Sequence, residues 1–265
     1  MINYKLSVAA IFKNEAFNLK EWVDHYIHHG VEHFYLVNDN SSDEFLDILT
    51  PYINSGIITL YDSDVGKFSN RQQAMYDKYI LTNVKNSEWT IICDLDEFIY
   101  SPKDINILNI INKYKEYDIL YLNWAIFGTN GNVDHPESIV KTCTKRIEYN
   151  GKIYALCGGS YNLVDSCSRK YIINNKANLS GLWVHDPVGS YTSINVSYMG
   201  ALKNDCDLIM NHYITQSKEF WEKVKMTRGD VNNHHPDNAR DWTYFNYLDI
   251  GDIDDLRLKE QNKNI

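Results

Sequence analysis

No apolar run in this sequence approaches the roughly 18 residues that a membrane-spanning helix needs, so a helical span is not expected. A secretory leader is not expected either. Met1-Ile2-Asn3-Tyr4-Lys5 passes straight into a strand pattern, and a cytoplasmic setting is the expectation. Positive charge is in deficit: 26 Lys and Arg against 35 Asp and Glu leave a net charge of −9. That balance argues against nucleic acid as the main partner, and an anionic ligand would need a local basic site or a metal. Cysteine is scarce. The five (Cys93, Cys143, Cys157, Cys167, Cys206) are odd in number and form no CxxC pair, so they read as reduced thiols rather than a disulfide framework. Internal repeats and low-complexity linkers are absent too. The abundance of lysine, asparagine and isoleucine suggests an AT-rich genome, bacterial or viral. Oligomeric state leaves no mark on the sequence.

What is present is enough apolar residue, 44% of 265, for one large α/β domain or one domain with an appendage. Leu6 to Phe12 reads as a strand, and Leu19, Trp22, Val23, Tyr26 and Ile27 mark one face of a helix that Gly30 stops. His33–Val37 and Ile57–Tyr61 are further strands, with a helix bearing Phe45, Leu46, Ile48, Leu49, Tyr52 and Ile53 between them. A helix from about 69 to 81 leads to a fourth strand. This β-α-β-α-β-α-β order predicts a Rossmann-like, doubly wound, mostly parallel sheet with helices on both faces and a helical C-terminal segment. Beyond it, Ser101 is expected to cap a helix with Pro102 in its first turn. Ile119–Trp124 is a strand, and Lys170–Ile173 and Gly181–Val184 are expected to pair. Ser217 should open a helix carrying Phe220, Trp221 and Val224.

The chemistry concentrates in Trp89-Thr90-Ile91-Ile92-Cys93-Asp94-Leu95-Asp96-Glu97-Phe98. A buried strand runs into three acids, and extended alternation puts Asp94 and Asp96 on one side with Leu95 turned to the core. Two close carboxylates repel unless a cation sits between them, and hard oxygen ligands suit Mg²⁺ or Mn²⁺ together with substrate phosphates. An ion-free acidic turn is the plainer reading of such a motif taken alone. Ligands on doubly wound sheets bind beyond the carboxyl ends of the strands. Lys13, Asp39, the loop 62–67 and Asp94/Asp96 all fall there.

Taken in order, five segments resemble GT-A-fold glycosyltransferases of the family 2-like and family 92 group. They are Lys13-Asn14-Glu15 with Glu21-Trp22-Val23-x-x-Tyr26; Asn38-Asp39-Asn40-Ser41-Ser42-Asp43; Asp94-Leu95-Asp96-Glu97-Phe98; Trp124-x-x-Phe127-Gly128-x-x-Gly131; and Asn211-His212-Tyr213-x-x-x-Ser217 with Lys223, Lys225 and Arg228-Gly229-Asp230. The resemblance implies a GT-A domain over 1–229, divided into a nucleotide-binding half (1–100) and an acceptor-side half (101–229), followed by a tail at 230–265. It implies metal-dependent transfer of a sugar, with inversion, from a nucleoside-diphosphate sugar (a UDP-hexose above all) to a hydroxyl of a glycan or other acceptor. Mn²⁺ or Mg²⁺ would sit on Asp96, Asp94 and His212, with His185 as a rival ligand. Asp39 would accept the uracil N3–H, although Asn38 replaces the group's first acid and a helix cap also explains this turn. Lys13, Glu15, Arg71, Lys218 and Lys225 would serve the ribose and phosphates, Arg71 by forking onto a phosphate or stacking on the base. Trp124 and Phe127 would face the acceptor. Asp186 is the favoured general base, with Asp134, Glu137 and His185 as alternatives, since the Glu-Asp pair of many family 2 enzymes is missing. Glu97 would orient the metal ligands. His234 and His235 read as solvent-exposed.

Two other readings remain. A sugar nucleotidyltransferase usually carries a glycine-rich basic loop after its first strand, and Ala10-Ile11-Phe12-Lys13-Asn14-Glu15 has no glycine. A non-catalytic sugar- or nucleotide-binding module on the same fold would not need Asp94, Asp96 and His212 together.

Overall fold

The computed structural model describes residues 2–68, 70–148, 169–197, 206–228 and 240–265. Its first half alternates strand and helix: β1 (Tyr4–Phe12), α1 (Ala16–His28), β2 (His33–Asn38), α2 (Phe45–Asn54), β3 (Ile58–Asp62) and α3 (Arg71–Met75), which a π turn extends over Tyr76–Ile80. β4 (Ser87–Ile92) follows. The four strands lie in the order β3-β2-β1-β4, all parallel. Alternation on β1 explains the layers. Leu6, Val8, Ala10 and Phe12 belong to one core with Trp22 of α1 and Leu49 of α2, while Ala9 and Ile11 join Met75, Tyr76 and Ile80 on the other face. Leu46, by contrast, is exposed. Gly30, at φ +94°, stops α1 in a left-handed turn, and a Cβ there would meet the Asn106 side chain at 2.5 Å.

The second half departs from a parallel sheet. β5 (Glu97–Tyr100), α4 (Ile107–Ile111), β6 (Ile119–Ile126), α5 (Ile139–Thr142) and β7 (Lys145–Arg146) come next. β8 (Arg169–Asn174) then enters the main sheet between β4 and β6, antiparallel to both. β9 (Asn178–Leu182) and β10 (Pro187–Ser190) pair only with each other. β11 (Ser193–Ser197) and β12 (Ile209–His212) both run parallel to β6, along its first and second halves, and β12 is antiparallel to β5. The sheet is therefore mixed: most of its strands share one direction, as expected, but β8 and β5 run against the rest. The expected pairing of 170–173 with 181–184 is replaced, because the apolar run Tyr171-Ile172-Ile173 finds two buried neighbours in the main sheet. Helix α4 begins at Asn106, whose side chain accepts from Leu108 N, while Ser101 holds only a turn with Lys103.

Ser217 caps α6 (Lys218–Phe220), which continues as a π turn over Trp221–Lys225. Residues 240–265 carry α7 (Trp242–Leu248), β13 (Ile253–Asp254) and α8 (Arg257–Gln261), and they pack on the domain through Phe245, Leu248 and Leu258 in the main core. Asn262, just after α8, bonds both His25 and His29 of the α1 end.

Burial pushes His25 well below its usual pKa and His29 below it too, with neighbouring histidines adding to the shift, and His33 moves the same way. A histidine kept neutral in the fold but titrating near 6.5 when unfolded contributes stability that is complete above that pH. The contribution drains away as pH falls toward the folded values, by up to ~1.4 kcal/mol per pH unit for each fully buried ring. Urea melts are expected to show stability dropping between about pH 7 and 5 in this way. A flat profile across that window would contradict the burial of these rings.

Candidate active site

The strand order carries Asp39, Lys13, Glu15, Asp94 and His212 to one edge of the sheet. Asp39 follows β2, Lys13 and Glu15 follow β1, and Asp94 follows β4. β2 and β4 flank β1, so at roughly 4.8 Å per strand Asp39 and Asp94 stand about 10 Å apart across the sheet, the scale of a nucleoside and its phosphates.

The acidic turn 94–96 is fixed on three sides. From α1, the indole of Trp22 donates to the carbonyls of Asp94 and Glu97, each at 3.1 Å, and the Tyr26 hydroxyl donates to Glu97 O at 3.0 Å. From beyond β12, Tyr213 N donates to Asp96 O at 2.8 Å. Leu95 is buried, as alternation requires. The registry of β12 on β5 sets His212 opposite Glu97, which brings its Nε2 to 3.5 Å from Asp96 Oδ1.

Each carboxylate here already has a cation. Lys225 Nζ donates to Asp96 Oδ2 at 2.8 Å and stands 3.9 Å from Glu15 Oε1. Arg228 bonds Glu15 and the carbonyl of Lys13. Arg71 grips Asp39 with both terminal nitrogens and the carbonyls of Val65 and Gly66 with Nε. Lys170, fully buried, donates to Asp94 Oδ2 at 2.8 Å and lies 3.8 Å from Glu97 Oε2. Its place follows from the antiparallel register: Ile92 faces Tyr171, so Lys170 faces the residue just before Asp94.

Burial works against the charge on Asp96, but Lys225 and His212 win and hold its carboxyl well below the ordinary value. For Glu97 burial wins and raises it, with Lys170 pulling the other way. Burial opposes the charge on Lys170 too, yet Asp94 and Glu97 raise its pKa. His185 is depressed to about 4 by burial and by Lys170 nearby.

Several expected roles change in this geometry. Arg71 has its fork committed to Asp39, so it offers none to a phosphate or base. Asp39 keeps acceptor capacity, because a carboxylate has about four lone-pair sites. Trp124 is buried, donates its indole N–H to Glu97 Oε1 at 2.6 Å and packs its ring 4.3 Å from His212. Phe127 is 1% exposed, against Tyr213 in the main core. Neither ring presents a face to an acceptor; Trp124 holds Glu97 and His212 in place. Lys218 is exposed on the first turn of α6. Asp186 accepts from Tyr121 Oη at 2.8 Å and pairs with Arg169. Its neighbour His185 stands edge-on to Trp124 at 5.6 Å. Asp134 and Glu137 are exposed, and His234 and His235 lie outside the described residues.

A GT-A site implies a divalent ion. Among the described residues no group of three or more His, Cys, Asp or Glu side chains is arranged to hold one. Asp94 forms no such group with Asp96 and His212, and Lys170 pairs with its Oδ2. Asp96 and His212 still supply adjacent oxygen and nitrogen donors, and the buried Nδ1 of His212 has no partner. Two protein donors with substrate phosphates suit Mg²⁺ or Mn²⁺, so the residues fit a two-ligand site.

Lys170 is the charged residue of this cluster that the sequence alone did not single out. Its signal was a lone lysine opening an apolar strand, Lys170-Tyr171-Ile172-Ile173, where a charge needs a buried partner.

A family model described as "Glycosyltransferase family 92" matches residues 3–254. A glycosyltransferase family 92 protein of Oryza sativa subsp. japonica is 24% identical over 143 residues, 52% of this chain and 24% of that protein. One of Ricinus communis is 23% identical over 108 residues, 41% of this chain and 19% of that protein. The matches thus span about a quarter or less of these curated relatives. Among solved structures, S. aureus TarS in complex with UDP-GlcNAc aligns with a TM-score of 0.40 at 14% identity, covering 75% of this chain and 61% of that one. HddC from Yersinia pseudotuberculosis aligns with a TM-score of 0.41 at 10% identity, covering 84% and 98%.

Proposed function

The chain belongs to glycosyltransferase family 92, and from that membership we propose that it moves a hexose from a UDP-sugar to a hydroxyl of a glycan or similar acceptor, with inversion. The observation that carries this reading is the row of acids along one sheet edge: Asp39 beyond β2, Asp94 and Asp96 beyond β4, and His212 beside Asp96. The uracil would meet Asp39, whose orientation Arg71 locks. The ribose would meet Asp94, the more exposed of the two motif acids, at 35% against 6%. Asp96 and His212 would hold Mn²⁺ or Mg²⁺, which when bound supplies charge to the leaving diphosphate. Lys225 and Arg228 add positive charge at the same end, and Lys13 and exposed Lys218 would join them.

Inversion needs one base to take the acceptor's proton as its oxygen attacks the anomeric carbon. Asp186 is our assignment. Its partners Arg169 and Tyr121 fix its carboxylate, and His185 links it to the Trp124–His212 stack. Asp186→Asn is expected to leave UDP binding within about twofold while lowering turnover by at least ~10²-fold. Undiminished turnover would move the base to another acid.

The donor assignment has its own test. Asp39→Ala should weaken UDP binding by ~1.5–3 kcal/mol, the worth of a hydrogen bond to a charged group. Calorimetry with UDP and CDP reads this directly, and equal affinities for both nucleotides in the unaltered protein would refute the uracil contact. No helix among the described residues is long and apolar enough to cross a membrane. The free, buried Cys93 and Cys143 agree with a reducing compartment, and the cytoplasm is our proposed setting.

A further inference from the structure

We propose that Lys225 and the divalent ion are alternative occupants of Asp96, so that the ion loads together with the nucleotide diphosphate and not before it. The inference rests on the nucleotide-sugar reading of this cleft and adds a loading order to it.

The Asp96 carboxylate is small and nearly sealed, with 6% of its side chain exposed. One oxygen takes the Lys225 ammonium at 2.8 Å, and the other faces His212 Nε2 at 3.5 Å. An ammonium and a doubly charged ion on the same buried carboxylate would repel strongly, since little water reaches them to screen the interaction. An ion arriving alone must therefore break the Lys225 pair and leave a buried ammonium with less compensation. The nearest alternative carboxylate, Glu15, is 3.9 Å away and is already bonded by Arg228.

A nucleotide diphosphate changes this balance. Its oxygens offer Lys225 new acceptors at the moment the ion needs Asp96. The lysine is mounted for such a shift. It ends the π turn Trp221–Lys225, where Met226 N reaches back to Trp221 O at 2.8 Å, and its ammonium lies over the Phe220 ring at 5.4 Å, a cation–π contact that survives a small shift of the head group. Lys170 offers no parallel route, because it is fully enclosed and held by both Asp94 and Glu97. Lys225 thus keeps the site closed to free ion and passes its charge to the donor.

The test is Mn²⁺ binding read by electron paramagnetic resonance, without acceptor and without turnover. The unaltered protein should bind Mn²⁺ weakly alone and tightly with UDP. Lys225→Met should tighten Mn²⁺ alone about tenfold or more and weaken UDP by a similar factor, the size of one charge-assisted contact. Lys225→Gln keeps a donor for Asp96 and should behave likewise, which protects the test should the methionine variant fail to fold. If the folded variants bind Mn²⁺ alone no better than the unaltered protein, while that protein still binds Mn²⁺ with UDP, the competition is refuted and the site reading stands. Absence of Mn²⁺ binding even with UDP would overturn both.

Discussion

Replacing Asp96 with asparagine is expected to lower kcat/KM at least about 10³-fold, or ~4 kcal/mol, and to remove the Mn²⁺-dependent part of UDP affinity. The side chain keeps its shape, so the loss reports on charge. Asp96 gathers three interactions in one buried place: Lys225 on Oδ2, His212 beside Oδ1, and the Tyr213 N–H on its carbonyl. Only the first two depend on the carboxylate. The amide that replaces the carboxylate still offers Lys225 an acceptor oxygen, so the variant has a route to a folded state and its nucleotide binding is measurable. Unchanged Mn²⁺-dependent affinity in a folded Asp96→Asn protein would take the ion away from this residue.

The largest stability loss is expected at Lys170. Lys170→Met leaves Glu97, with no exposed side-chain surface, beside Asp94 and without their shared cation. Breaking a buried pair by removing one partner costs ~3–5 kcal/mol, a large share of the 5–15 kcal/mol that keeps a domain folded. Glu97 cannot turn to water, because its oxygens are fixed by Asp94 N and the Trp124 indole, and without the ammonium its carboxyl, already raised by burial, is pushed up further. A urea midpoint lowered to match is the predicted result, and a loss under about 1 kcal/mol would show that the ammonium does not neutralise this pair. Activity should fall with stability, since Asp94 loses the contact that orients it.

The first half of the fold was legible for a local reason. Buried parallel strands are continuous apolar runs, and β1, β2, β3 and β4 announce themselves as such between helices with a clear period. The acids at their ends followed by position alone. The second half depends on which strand lies beside which, and that is set by pairings far apart in the chain. β8 carries a readable apolar run, yet nothing local says that it enters between β4 and β6. Missing that insertion hid Lys170, which reaches across 76 residues to Asp94. Lys225 was legible as a basic residue near the phosphates but not as the partner of Asp96, 129 residues away. Trp124 and Phe127 show the opposite error. Aromatic residues beside a glycine-bearing loop suggest a sugar platform, but a strand buried on both faces takes such rings into the core. The helix start at Asn106 in place of Ser101 is a smaller case, since both residues are good caps and tertiary packing chose between them.

A thermal-shift series tests the account most directly: the protein with UDP-, GDP-, CMP- and TDP-sugars, each with and without Mn²⁺. A ligand at 100 times its dissociation constant stabilises the fold by about 2.7 kcal/mol, several degrees in melting temperature. That shift is expected for UDP-sugars with Mn²⁺, and a much smaller one when either is withheld. A protein that ignores every UDP-sugar, or prefers another nucleotide, would contradict the assignment of this cleft.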